Sequence, residues 1–127
     1  MVLPDGQFRW MFVAKEYDAS IAFYRDGLGL PVDHDWNFGP EDRGTVFQAG
    51  AGIVEVLGGL PGQAYAAPRG AWMAIQVADP DAFYQLALER GLKVVEEPTT
   101  YPWGQRMLKV QDPDGIVIWL FAPVKTE

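Results

Sequence analysis

The chain has 127 residues, the length of one domain, and 49% hydrophobic against 21% charged residues supports a buried core rather than disorder. There is no cysteine and a single histidine, His34, which excludes a disulfide framework, a thiolate metal site, a cysteine nucleophile and any centre built on two imidazoles. A formal net charge of −7 disfavours nucleic acid and anionic membrane as partners, because both need phosphate neutralisation by Lys or Arg.

No apolar run is long enough to cross a bilayer, and the opening Met1 to Gly6 lacks the basic and apolar regions of a signal peptide; a soluble, cytoplasmic chain is expected. Gln7 to Ala14, aromatic and apolar, predicts a strand. Asp18 then precedes Ile21, Phe23, Tyr24 and Leu28 at helical spacing and reads as an N-cap, with Gly27 and Gly29 as stop signals. Three short strands follow, Leu30 to Trp36, Gly44 to Ala49 and Gly52 to Leu57, punctuated by Gly, Pro and acidic residues.

The pattern then restarts. Ala71 to Val77 predicts a strand, and Asp79-Pro80 starts a helix with Asp as N-cap and Pro at the first helical position. Phe83, Leu86, Ala87 and Arg90 share a face, and Gly91 closes the helix. Leu92 to Glu97, Gln105 to Gln111 and Ile116 to Ala122 predict three more strands, the last two joined by Asp112-Pro113-Asp114-Gly115. Phe23-Tyr24 overlays Phe83-Tyr84, Gly29-Leu30 overlays Gly91-Leu92, and Gly52-Ile53-Val54 overlays Gly115-Ile116-Val117. The chain therefore reads as one α+β domain over 1–127 of two tandem βαβββ units, 7–57 and 71–122, with a Gly-, Pro- and Ala-rich linker at 58–70. Neither unit alone buries both faces of its sheet; side by side they predict a curved, roughly eight-stranded surface, helices outside and a concave pocket inside.

These residues resemble the vicinal oxygen chelate superfamily of glyoxalases, bleomycin resistance proteins and dioxygenases. The resemblance covers nearly the whole chain. It is carried by Ser20-Ile21-Ala22-Phe23-Tyr24 with Gly27-Leu28-Gly29-Leu30, by Trp103-Gly104, and by Asp112-Pro113-Asp114-Gly115 before an apolar strand. It implies a divalent metal held by residues on the first, fourth, fifth and eighth strands, positions that fall here on Arg9, Glu55, Trp72 and Trp119. Only Glu55 can ligate, since guanidinium and indole nitrogens offer no lone pair. One carboxylate does not make a metal site, so no metal and no cofactor is expected.

Strand alternation predicts what fills the pocket instead. Met73, Ile75 and Val77, and Ile116, Ile118 and Leu120, suit the helix side. Arg9, Met11 and Val13, Ile53, Glu55 and Leu57, Trp72, Ala74 and Gln76, and Val117, Trp119 and Phe121 are left for the pocket, with Trp103 and Trp36 at its rim. The expected ligand-binding set is Arg9, Met11, Glu55, Trp72, Trp103, Trp119 and Phe121. Arg9 and Glu55 are expected to pair, His34 to be a partly exposed strand residue, and Asp33, Asp35, Glu41 and Asp42 to form a solvated edge.

Three functional readings follow. In the first, the chain is a metal-free small-molecule binding protein and homodimer. It then resembles the bleomycin-resistance branch, which implies sequestration of a cationic aromatic antibiotic between Trp-rich, acidic walls. In the second it is an enzyme of lyase, isomerase or dioxygenase type with a non-standard or metal-free site, Glu55 serving as general base and Arg9 as anion holder. In the third, Trp72 and Trp119 pack on each other, plug the pocket and leave a structural module.

Overall fold

In the computed structural model, which describes residues 2–124, the βαβββ plan is followed twice. Unit one holds β1 (Arg9–Val13), α1 (Tyr17–Ala22) running into a π-helical turn at Phe23–Gly27, β2 (Val32–Asn37), β3 (Arg43–Ala49) and β4 (Gly52–Leu57). Unit two holds β5 (Trp72–Gln76), α2 (Pro80–Glu89), β6 (Lys93–Tyr101), β7 (Gln105–Gln111) and β8 (Val117–Pro123). All eight expected strands form, and they are held as two four-stranded sheets, ordered β1-β4-β3-β2 and β5-β8-β7-β6. Hairpins make β2-β3-β4 and β6-β7-β8 antiparallel. The helical crossover brings the last strand of each unit back beside the first in parallel.

The alternation predicted from sequence sorts the strands as expected. Phe12, Phe47, Val54 and Val56 of the first sheet, and Met73, Leu108, Val110, Ile118 and Leu120 of the second, join Ile21, Phe23, Tyr24 and Leu28 in one buried cluster. The two helices differ in how they start. Asp79 caps α2 as expected, its carboxylate accepting from the Asp81 and Ala82 amides with Pro80 at the first position. Asp18 does not cap α1. The cap position is Glu16, without a side-chain hydrogen bond, and Asp18 lies inside the first turn, exposed, 3.8 Å from Arg43 Nη1. Two residues past the cap position, Asp18 still favours the positive end of the helix, but it cannot reach the free amides before it. On α2 the packed residues are Phe83, Tyr84 and Ala87; Leu86, expected on the same face as Phe83, is exposed.

A polar seam joins the units. Tyr24 Oη donates to Asp112 Oδ2 at 2.7 Å in the interior, while Asp112 Oδ1 accepts from the amides of Asp114 and Ile116 at 2.9 and 2.8 Å. Asp114 accepts from Ser20 Oγ at 3.1 Å and the Lys15 amide at 2.9 Å. Tyr65 of the linker donates to the same carboxylate at 2.7 Å, tying residues 58–70 to the 112–115 turn. Gly115 sits at φ +89°, the left-handed region that this hairpin closure demands. Gly27 packs close to unit two: a Cβ there would lie 2.8 Å from the end of the Leu92 side chain, which would have to shift. Burial lifts both the Asp112 carboxyl and the Tyr24 hydroxyl above their ordinary values, the Asp112 charge adding to the effect on Tyr24.

Candidate ligand-binding faces

Each sheet has a second face, turned away from the helices, and all the expected site residues except Trp103 stand there. On the first sheet the register sets Arg9 beside Ile53 and Met11 beside Glu55, with Val46 and His34 continuing the Glu55 row across β3 and β2. Arg9 Nη1 donates to Glu55 Oε1 at 2.6 Å, and Arg9 Nε to Gln7 Oε1 at 2.5 Å. Glu55 is only 6% exposed, so the guanidinium compensates a carboxylate that would otherwise lie unpaired in the interior. Met11 is exposed. Trp36 is half-buried, its ring lying where any Cβ on Gly44 would collide with it, and 6.3 Å from the His34 ring. His34 is exposed and pairs with Asp33 at 2.6 Å. That contact and a hydrogen bond from Gln48 hold the Asp33 carboxyl below its ordinary value.

On the second sheet, Trp72 stands beside Val117 and Ala74 beside Trp119, followed in the same row by Lys109 and Glu96. Trp72 is 61% exposed. Trp119 and Phe121 are half-buried, and no ring contact links Trp72 with Trp119 among the described residues. The two indoles therefore do not plug a pocket by stacking on each other. Trp103 is exposed at the turn between β6 and β7, stacked on Tyr101 with ring centres 4.5 Å apart, its indole N–H donating to Gln105 Oε1 at 3.1 Å.

Lys109 was not among the expected site residues. Its ammonium lies 2.7 Å from Glu96 Oε2, 3.3 Å from Tyr101 Oη and 4.6 Å from the centre of the Trp119 ring. Tyr101 Oη also donates to Glu96 Oε1. The Glu96 hydrogen bond pushes the lysine up, and the lysine's hydrogen bond pulls Glu96 down, so both are charged at neutral pH. Alternation within β7 places Lys109 on the face opposite Leu108 and Val110. Which residue of β8 it would meet needed the strand register.

Among the described residues, no hydrogen bond or ion pair joins the Arg9–Glu55 pair to the Lys109–Glu96 group. Two cavities flank β1. One of about 320 Å³ lies between β1 and the linker, lined by Met11, Val13, Leu60 and Tyr65. Another of about 420 Å³ lies where the sheets meet, lined by Phe8, Trp10, Ile53, Ala74 and Gln76. Arg9, Glu55, Trp72, Trp103, Trp119 and Phe121 line neither. Among the described residues no group of three or more His, Asp or Glu is placed to hold a metal ion, and no helix is long and apolar enough to cross a membrane.

The paired βαβββ sheets define a class of small α+β proteins. The chain belongs to the Glyoxalase/Bleomycin resistance protein/Dioxygenase superfamily, whose family model matches residues 7–120. Among solved structures it is similar to TnmS3, described as an antibiotic binding protein from Streptomyces sp. CB03234. Identity is 23% and the TM-score 0.76, with 97% of this chain and 99% of that chain covered. It is similar to TioX from Micromonospora sp. ML1 at 18% identity and a TM-score of 0.75, over 94% of this chain and all of that one (100%). A superfamily member from Sphaerobacter thermophilus DSM 20745 is 24% identical with a TM-score of 0.75, over 94% and 98%. At these identities the likeness is one of fold. No curated protein matches the chain.

The metal that the superfamily resemblance implies does not fit the residues present. Of Arg9, Glu55, Trp72 and Trp119, three carry no lone pair for a cation, and the Oε1 of the fourth already accepts from Arg9.

Proposed function

We propose that this protein is a metal-free binding protein that sequesters a small aromatic molecule, with an antibiotic as the class of ligand that the likeness to TnmS3 supports. The observation that carries the reading is Trp72. It occupies a position the resemblance would give to a metal ligand, cannot ligate, and leaves most of its indole open to a partner. A planar ring laid on an indole gains dispersion over the whole contact, and no bond is made or broken. Arg9, Met11, Glu55, Trp103, Trp119 and Phe121 complete the binding set. Glu55 contributes as Arg9's partner rather than as a base, because the pair satisfies both groups.

The same reading takes the protein as a cytoplasmic homodimer. Phe8, Met11 and Trp72 are exposed apolar side chains, and the candidate residues on the two sheets share neither of the cavities flanking β1. A second copy, laying its second sheet against the first sheet of its partner, would cover Phe8 and Met11 and bring the two groups face to face across a ligand held on Trp72. Sedimentation velocity at micromolar protein should give a dimer, and a monomer would sink that part of the reading alone.

The test of binding is a tryptophan fluorescence titration in EDTA against metal-free bleomycin and a panel of other aromatic antibiotics. Saturable quenching at micromolar or lower ligand is expected, abolished in Trp72→Ala and retained in Asp18→Ala, an exposed residue outside the set. Silence from every compound would overturn the reading.

A further inference from the structure

The cationic ligand implied by resemblance to the bleomycin-resistance branch rests on acidic, Trp-rich walls. On the second sheet, the cation that such a wall attracts is already supplied by the chain. The Lys109 ammonium is seated over the Trp119 ring at 4.6 Å, 2.7 Å from Glu96 and 3.3 Å from Tyr101 Oη. That is the arrangement by which aromatic and acidic side chains hold an ammonium ligand, and it is full. On the first sheet the buried acid, Glu55, is likewise matched by Arg9 at 2.6 Å. On the second sheet an incoming cation would meet the Lys109 ammonium and no unmatched buried carboxylate beside the indoles.

The unfilled capacity on the second sheet is of the opposite kind. An ammonium has three donors, and the described contacts of Lys109 use two, on Glu96 and Tyr101. The Trp119 indole N–H is buried and has no acceptor among the described residues, a state that is costly unless an acceptor or water reaches it. Trp72, on the neighbouring strand of the same face, offers an open ring surface. We infer that this face takes a planar aromatic ligand that is neutral or anionic, stacked on Trp72 with a ring oxygen, such as a hydroxyl or carboxylate, accepting from Lys109. The inference rests on the binding reading above and specifies the chemistry of its ligand. Lys109 becomes the residue that sets ligand charge.

Three planar probes of one size separate the possibilities: 9-aminoacridine as cation, 9-anthracenemethanol as neutral ring and 9-anthracenecarboxylate as anion. Titrations by calorimetry would run at about 0.15 M salt, where a screening length of about 8 Å suppresses the general field of an acidic chain and leaves the local contacts. The carboxylate and the alcohol should bind at least about tenfold more tightly than 9-aminoacridine. Lys109→Gln should remove the carboxylate's advantage, and Lys109→Arg should keep most of it, which separates charge from folding. Tighter or equal binding of 9-aminoacridine to the unaltered protein would overturn the inference while leaving a binding protein. So would a carboxylate preference that survives Lys109→Gln. Failure of all three probes, together with silence from the antibiotic panel, would remove the binding reading itself.

Discussion

On β1 and β4 the positions facing away from the helices hold Arg9 and Glu55, closed on each other at 2.6 Å; at the same registers on β5 and β8 stand Trp72 and Trp119. The helix-facing positions of the same strands are alike in both units: Phe12 and Val54 on one side, Met73 and Ile118 on the other, all buried in one core. A packed interior accepts only apolar groups of nearly fixed volume, so the inner pattern repeats. The outer faces are packed less uniformly: Val46, Ile53, Leu57 and Met107 are buried there, while Met11 and Trp72 are exposed. Unit one carries a matched charge pair there and unit two an aromatic wall with its own lysine, and this difference turns a duplicated backbone plan into two unlike surfaces.

The largest effect should come from breaking the pair on its exposed side. Arg9→Met leaves a buried Glu55 carboxylate unpartnered and should cost about 3 kcal/mol in chemical denaturation. The double variant Arg9→Met/Glu55→Met, which gives unit one an apolar face like that of unit two, should recover most of this. A double variant no better than the single one would mean that the pair does more than neutralise itself.

Next come the equivalent tyrosines. Tyr24 is fully buried and donates across the seam to Asp112, whereas its counterpart Tyr84 reaches Glu97 at 3.3 Å from a half-buried position. Tyr24→Phe should cost about 2 kcal/mol, in the range for a buried hydrogen bond to a charged group, and Tyr84→Phe less than about 0.5 kcal/mol. Equal losses, read from urea midpoints at constant m, would erase the asymmetry.

The helix starts give a smaller contrast. Asp79→Ala removes two amide contacts and should cost about 1 kcal/mol. Asp18→Ala, at a position that caps nothing, should shift thermal unfolding barely at all.

The smallest effect is one of pH, and the two polar groups contribute to it with opposite signs. Asp112 is raised above its ordinary value of 3.8, chiefly by burial. Between these two values the folded state binds more protons than the unfolded one, so stability falls as pH rises through that window. Glu96 is lowered from 4.5, chiefly by Lys109. Its contribution is present above the unfolded value and is lost as pH falls through the folded one. Asp112→Asn keeps a seam of compatible hydrogen bonds and should remove the fall in denaturation midpoint that begins above pH 3.8, leaving the loss that lowered carboxylates such as Glu96 give below pH 4.5. A slope unchanged by Asp112→Asn would place the titration elsewhere.

Much of this was legible in the chain as written. Repeats such as Phe23-Tyr24 and Phe83-Tyr84, the turn at 112–115, and alternation along each strand are local properties, set by backbone geometry with periods of 2 and 3.6 residues. They suffice to give two βαβββ units, to separate core from outer face, and to put Arg9, Glu55, Trp72 and Trp119 outside the core. Asp18 shows where local reading stopped: a capping residue type in a plausible place, with the cap position two residues earlier at Glu16. What only the tertiary structure decided depends on which residues meet across strands and across the seam. Lys109 lies beside Trp119 and opposite Glu96 because hairpin registers, including two shifts between β6 and β7, bring them level. Tyr24 finds Asp112, 88 positions away, because the two units pack their apolar faces into one core. A one-residue change of register would have turned those side chains to opposite faces of the sheet, and the period of the sequence alone carries no record of which register wins.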